Sequence, residues 1–188
     1  VAFSGYSFVT GATTGGFNWY TAVHVAARNG HPGLVRFLVV GAGADADARE
    51  TGKYQGYTPC FLAIDNNKPR AVRALVEAGA DPNRVVATGG DYEGYTPCMF
   101  AAYEGRTACL RALGTAPMLD VNAVAAAGRG KGKTALDVAL DQNQAEAAAF
   151  LRDELGALRA AGLCARTTPG VHPADSDPSE DAAAAADV

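Results

Sequence analysis

"YQGYTPCFLAIDNNKPRAVRALVEAGADPN" (Tyr54 to Asn83) and "YEGYTPCMFAAYEGRTACLRALGTAPMLDVN" (Tyr92 to Asn122) decide how this chain is read. Laid one over the other, they share Tyr, Gly, Tyr, Thr, Pro and Cys in the same places at their start. Two further stretches have the same order of parts: "YTAVHVAARNGHPGLVRFLVVGAGADAD" (Tyr20 to Asp47) and "GKTALDVALDQNQAEAAAFLRDELG" (Gly132 to Gly156). Their threonines, Thr21, Thr58, Thr96 and Thr134, stand 37, 38 and 38 residues apart. A period of that size is the signature of a repeat architecture.

Each copy has the parts of a short helix pair. The threonine stands where a side-chain oxygen caps a helix, and Pro59 and Pro97 follow at the first helical position, where no N–H is needed. In the second element apolar residues recur at helical spacing, as in Ala71, Val72, Ala74, Leu75 and Val76, until Gly79 ends it. One such pair is too small to bury its apolar face alone, so neighbours must stack into a continuous core. An elongated solenoid is the expectation.

The array resembles ankyrin repeats, whose signature is Thr-Pro-Leu-His-x-Ala, then a second helix and a Gly-Ala-Asp-x-Asn end. The second copy matches through Thr58, Pro59, Ala63 and the run Ala78 to Asn83; the first supplies Thr21, His24, Ala26, Ala27 and the Gly30-His31 turn. The third copy has one residue more at its end, and the fourth has Ala135 for Pro, Asp137 for His and no Gly-Ala-Asp ending. The resemblance, which spans about residues 17–162, implies an all-α ankyrin-repeat solenoid of stacked helix-turn-helix units with long β-hairpin-like finger loops. Four repeats are expected at about 19–48, 56–84, 94–123 and 132–162, within a domain covering 19–162.

Both ends of the chain read differently. "TTGGFNWYT" (Thr13 to Thr21) looks like "TGGDYEGYT" (Thr88 to Thr96), so residues 1–18 are expected to be the remnant of a preceding finger in a longer protein. The fourth repeat is polar around its first helix and turn, as a solvent-facing cap requires. Residues 163–188 combine Pro, Ser, acids and a run of alanines with little to bury, which predicts a disordered acidic tail.

Composition narrows the function. Of 188 residues 48% are apolar, a share inflated by alanine, and the net charge is −4. That imbalance lies in the tail, where Arg166 faces Asp175, Asp177, Glu180, Asp181 and Asp187; up to Cys164 the charges balance. A neutral body has no general attraction for nucleic acid or an anionic membrane, so protein partners are expected and neither nucleic acid nor membrane insertion is. Cys60, Cys98, Cys109 and Cys164 form no CxxC pair, and His24, His31 and His172 keep no zinc-like spacing to them. Neither a metal nor a cofactor is expected, and the absence of a disulfide framework points to the cytoplasm or nucleus.

One motif competes with the repeat reading. "AGRGKGKT" (Ala127 to Thr134) fits a relaxed phosphate-binding loop, with Ala127 where the first glycine belongs. Such a loop needs a buried strand before it and an acidic strand elsewhere for magnesium. The sequence offers neither, and Thr134 already has a place as the capping threonine of the fourth repeat. The glycines are read as turning a long loop whose tip is made basic by Arg129, Lys131 and Lys133.

The resemblance implies a non-enzymatic protein-interaction module, acting as a monomer or as part of a longer chain. The alternative is a targeting or regulatory region of a larger enzyme or signalling protein, and a nucleotide binder through 127–134 is the remote one. The loops before Thr58, Thr96 and Thr134 take 11, 13 and 12 residues from the preceding Asp47, Asn83 and Asn122. A 33-residue period leaves about eight, so the fingers are long. By position, the resemblance assigns the gripping surface to Phe17, Tyr20, Arg28 and Asn29 in repeat one and to Tyr54, Gln55, Tyr57, Asp65 and Asn66 in repeat two. Repeat three adds Tyr92, Glu93, Tyr95, Tyr103 and Glu104, and repeat four Lys131, Lys133, Asp141 and Gln142. Tyrosines there either anchor a partner or pack finger on finger, and the sequence alone leaves both readings open. The resemblance gives His24 a hydrogen bond between loops, and Cys60 and Cys98 read as small buried thiols.

Overall fold

A computed structural model of the protein describes residues 20–50, 56–86 and 91–160. Residues 1–18, the tail 163–188 and the expected surface residues Phe17, Tyr54 and Gln55 lie outside the described residues. Within them are four helix pairs and no strand. The inner helices are α1 (Ala22–Asn29), α3 (Pro59–Asp65), α5 (Pro97–Tyr103) and α7 (Ala135–Asp141). Their partners are α2 (Pro32–Arg36, carried on by a wider π turn over Phe37–Gly41), α4 (Pro69–Glu77), α6 (Thr107–Leu113) and α8 (Ala145–Asp153).

Each inner helix begins where the sequence places its cap. Thr21, Thr58, Thr96 and Thr134 are all extended N-cap residues, and the hydroxyls of Thr21, Thr96 and Thr134 accept the N–H three residues on. Thr58 makes no such bond, and its buried hydroxyl has no partner; nothing in the structure explains the exception. Nine residues after each threonine the chain turns through left-handed backbone, at Gly30 (φ 75°), Asn67 (φ 52°), Gly105 (φ 64°) and Asn143 (φ 56°). Glycine and asparagine are the residues that adopt this conformation at least cost. The reversal sends the second helix back along the first.

Stacking supplies the core. Inner helices pack in the order α1, α3, α5, α7, and outer helices in the order α2, α4, α6, α8. Fully buried Phe61, Leu62, Ile64, Met99, Phe100, Leu75, Leu110, Leu113 and Leu151 fill the space between the layers. Burying each such side chain contributes roughly 1.5–3 kcal/mol, and the alanines between them let the short helices approach closely. Outside, Arg36 meets Glu77 at 2.6 Å across α2 and α4, and Arg111 meets Glu154 at 3.5 Å near α8. Half-exposed pairs of this kind add under about 1 kcal/mol each.

A second link runs along the stack at the repeat ends. The carboxylate of Asp47 accepts the N–H of Asp81 at 3.0 Å, Asn83 Oδ1 that of Asp120 at 2.8 Å, and Asn122 Oδ1 that of Leu158 at 2.7 Å. The fourth repeat lacks the Gly-Ala-Asp sequence, yet the chain still closes the same rung, with Ala157 buried as Ala80 is. The fingers leave from these rungs. Each is closed at its base by a pair of backbone hydrogen bonds, joining Glu50 to Tyr57 and Gly56, Val86 to Tyr95 and Gly94, and Ala125 to Lys133 and Gly132. They are hairpin-like loops, as the sequence suggests, closed without a strand ladder among the described residues.

Candidate concave surface

The C-terminal end of every inner helix carries two residues at the same register, seven and eight after the capping threonine. They are Arg28 and Asn29, Asp65 and Asn66, Tyr103 and Glu104, and Asp141 and Gln142, all exposed or half-buried. The fingers fold over these ends. Tyr92 on the second finger stands edge-on to Tyr103 of α5 at 5.2 Å between centroids, and Lys133 on the third reaches Asp141 of α7 at 2.8 Å. Finger and helix end therefore make one continuous surface in repeats three and four. In repeat one, Tyr20 is half-buried with its ring 5.8 Å from that of His24.

Two tyrosines leave that surface. Tyr57 is 9% exposed and Tyr95 is 2% exposed, so neither presents its ring to a partner. Tyr57 lies 5.5 Å from Phe61 and 5.8 Å from Phe100, edge to a ring network that continues through Tyr92 at 5.0 Å from Phe100. Tyr95 is held between Tyr92 at 5.7 Å and Tyr103 at 6.3 Å, and its ring covers Gly130 of the next finger, where a Cβ would collide with it. Both tyrosines stand one residue before a capping threonine, a register at which Tyr20 and Lys133 are only half-buried, so the neighbouring repeat and not the register decides their burial. Tyr92 and Tyr103 stay half-exposed. Burial, and then the neighbouring Tyr103 hydroxyl, push the Tyr92 phenol up to about 12, so it remains a neutral hydrogen-bonding group at any physiological pH.

The charge of the surface is divided. Asp65 is exposed and Glu93 half-buried, and Glu104 leans on Arg106 at 3.5 Å. Lys131 is exposed, while Lys133 is committed to Asp141. One link the sequence did not suggest joins the finger tips: Arg129 and Asp91 approach to 3.9 Å. Asp91 and Arg129 stand at one register, five residues before Thr96 and Thr134, so the signal that points to the pair is opposite charge at equivalent positions of neighbouring fingers. Close packing of the same fingers shows again at Gly128, where an added Cβ would lie 2.5 Å from the Glu93 carbonyl oxygen.

The glycine-rich stretch is spent on this packing. The N–H of Lys131 goes to Gly128, that of Gly132 to Ala125 and that of Lys133 to Gly130, leaving these donors no phosphate to hold. Thr134 is fully buried, with its N–H 3.2 Å from the Asp137 carboxylate and its hydroxyl between that carboxylate and the Leu158 carbonyl. A phosphate cradle uses the backbone N–H groups around its lysine and threonine, and here those of Lys131 to Thr134 are already taken.

The other candidate groups are structural. His24 is fully buried, and its Nδ1 accepts from the Thr21 N–H at 3.1 Å, which puts the ring proton on Nε2. That nitrogen donates to the Tyr57 carbonyl at 3.2 Å, tying repeat one to the base of the next finger. Burial lowers its pKa to about 4, so the ring is neutral near pH 7. Cys60, Cys98 and Cys109 are buried free thiols, and burial pushes each well above its ordinary pKa, the opposite of an activated nucleophile. Among the described residues no group of three or more His, Cys, Asp or Glu is arranged to hold a metal ion, and no helix is long and apolar enough to cross a membrane.

Comparison with known families agrees with this geometry. A model described as ankyrin repeats in three copies matches residues 7–86, and one described as ankyrin repeats in many copies matches residues 60–113. A search of curated proteins gives no match. The fourth helix pair lies beyond both matched spans, yet it repeats the cap, the turn and the rung of the other three. Period, stacked helix pairs, hairpin-closed fingers and both matched models lead to one assignment: the chain belongs to the ankyrin-repeat family.

Proposed function

We propose that this chain, in keeping with the general role of ankyrin repeats as protein–protein interaction modules, binds an extended protein segment bearing apolar and basic groups across the concave surface between its fingers and inner-helix ends. The observation that carries the reading is the row of accessible side chains at one register in all four repeats, from Arg28 and Asn29 to Asp141 and Gln142. In the first three repeats the residue just before this pair, Ala27, Ile64 or Ala102, is fully buried, so the chain passes from core to accessible surface at the same point of each inner helix. Tyr92 and Tyr103 offer aromatic area already fixed by neighbouring rings, so little rotamer freedom is lost on binding. Asp65, Glu93 and Glu104 supply acidic groups for a basic segment.

The test uses surface variants that leave the core alone. Immobilised chain captures its partner from lysate, mass spectrometry identifies it, and the affinity of the purified partner is then measured. Asp65→Lys with Glu104→Lys should weaken that affinity at least tenfold, while Arg70→Glu and Arg73→Glu, on the outer helix α4, should not. The reading fails if the outer-layer pair weakens binding and the concave pair does not, with melting curves unchanged in all variants.

A further inference from the structure

Repeats two, three and four turn three equivalent positions toward the repeat before them. Phe100 meets Phe61 at 5.4 Å between centroids, Cys109 Sγ lies 3.8 Å from Asn67 Oδ1, and the Arg111 guanidinium stacks over Phe150 at 4.7 Å. These contacts mark the stacking face, four, thirteen and sixteen residues after each capping threonine. Leu62 and Val138 share the first position, Ala71 and Ala147 the second, and Ala74 and Ala112 the third. All nine residues are buried, none more than 7% exposed.

In repeat one the same three positions are Val25, Leu34 and Phe37, and they are 46%, 46% and 65% exposed. Val40 beside them, 72% exposed, widens the apolar patch. The opposite end of the stack is finished differently: α8 shows Glu146, Arg152 and Asp153 to solvent. A repeat array needs polar outer faces at its ends, and among the described residues the first repeat shows an apolar one.

We propose that Val25, Leu34 and Phe37 form an open stacking face for a further ankyrin helix pair, carried ahead of Thr21 on a longer chain. The face continues the interface that joins the other repeats, in the same register and with the same chemistry. Val25 and Phe37 match Val138 and Phe150, so the missing neighbour resembles repeat three, with a long cationic side chain placed like Arg111 over the ring. The face stands at the end of the stack, and the proposal is independent of what the concave surface binds.

The experiment inserts a second copy of residues 92–133 immediately ahead of Thr21 in the full chain, and compares Phe37 with Phe37→Ser in both lengths. The extension should raise the melting midpoint by about 5 °C or more, the scale expected when a large apolar face is covered in a chain of this size. Phe37→Ser should be silent in the original chain and remove a large part of the gain in the extended one. An unchanged midpoint on extension overturns the proposal. So does an equal loss from Phe37→Ser in both lengths, which would mean the chain already covers its own face. A dimeric original chain that Phe37→Ser converts to monomer also overturns it, because the occupant is then a second copy.

Discussion

Replacing His24 by glutamine should make the protein less stable at neutral pH and more stable in acid. Glutamine at this third helical position still reaches back to the Thr21 N–H and still has an N–H for the Tyr57 carbonyl, but it carries no titrating ring. At pH 7 the substitution costs about 1 kcal/mol in lost ring packing. Acid changes the balance, because burial lowers the folded pKa of His24 from 6.5 to about 4. As pH falls, the unfolded chain takes up the ring proton first. The contribution of the neutral ring is therefore complete above about pH 6.5, falls through the window below it, and is exhausted once the pH passes below the folded value. Linkage from these two values gives a loss of about 2 kcal/mol by pH 5 and about 3 kcal/mol by pH 4. Urea unfolding of both chains at half-unit steps between pH 4 and 7.5 measures the difference directly, and the carboxylates common to both cancel. The curves should cross near pH 5.5 to 6. Curves that stay parallel across the window would show that His24 is not held neutral by burial, and the reasoning would be wrong.

Other outcomes follow from the fingers and the rungs. Gly130→Ala places a methyl group against the Tyr95 ring, and should cost about 1–3 kcal/mol in denaturant unfolding, although this glycine needs no left-handed backbone. Tyr95→Ala should cost about 3–5 kcal/mol because the ring is 2% exposed, whereas Tyr103→Ala should cost clearly less; equal losses would place the Tyr95 ring at the surface. Asn122→Ala removes the acceptor of the Leu158 N–H, and should lower stability by about 1–2 kcal/mol with faster hydrogen exchange at that amide. Unchanged exchange there would mean the rung does not hold the end of the fourth repeat.

The fold was legible because each local signal falls at a fixed distance from a threonine. Thr21, Thr58, Thr96 and Thr134 start helices, the proline after Thr58 and Thr96 sets the first turn, and glycine or asparagine stands at each reversal. Such signals act over a few residues, so sequence distance and spatial distance are nearly the same, and stacking only repeats them. The finger glycines at Gly56, Gly94 and Gly132 belong to the same class: all have positive φ, which the sequence position already required.

What the concave surface presents was less legible. Tyr57 and Tyr95 look like finger anchors in the sequence, as Tyr92 does, and no local pattern separates them. Their fate depends on the neighbouring repeat, since Phe100 receives Tyr57 and Gly130 receives Tyr95. The same holds for the glycine-rich loop, whose Lys131, Gly132 and Lys133 donors are committed to backbone that only the folded finger brings near, and for Val25, Leu34 and Phe37, which are apolar in sequence like their counterparts but exposed among the described residues. Local capping and turn chemistry is written residue by residue, and so the sequence determined the helix pairs, their number and their order. Which side chains face a partner and which face the next repeat is set by contacts across about one period of chain, and only the stacked structure decided it.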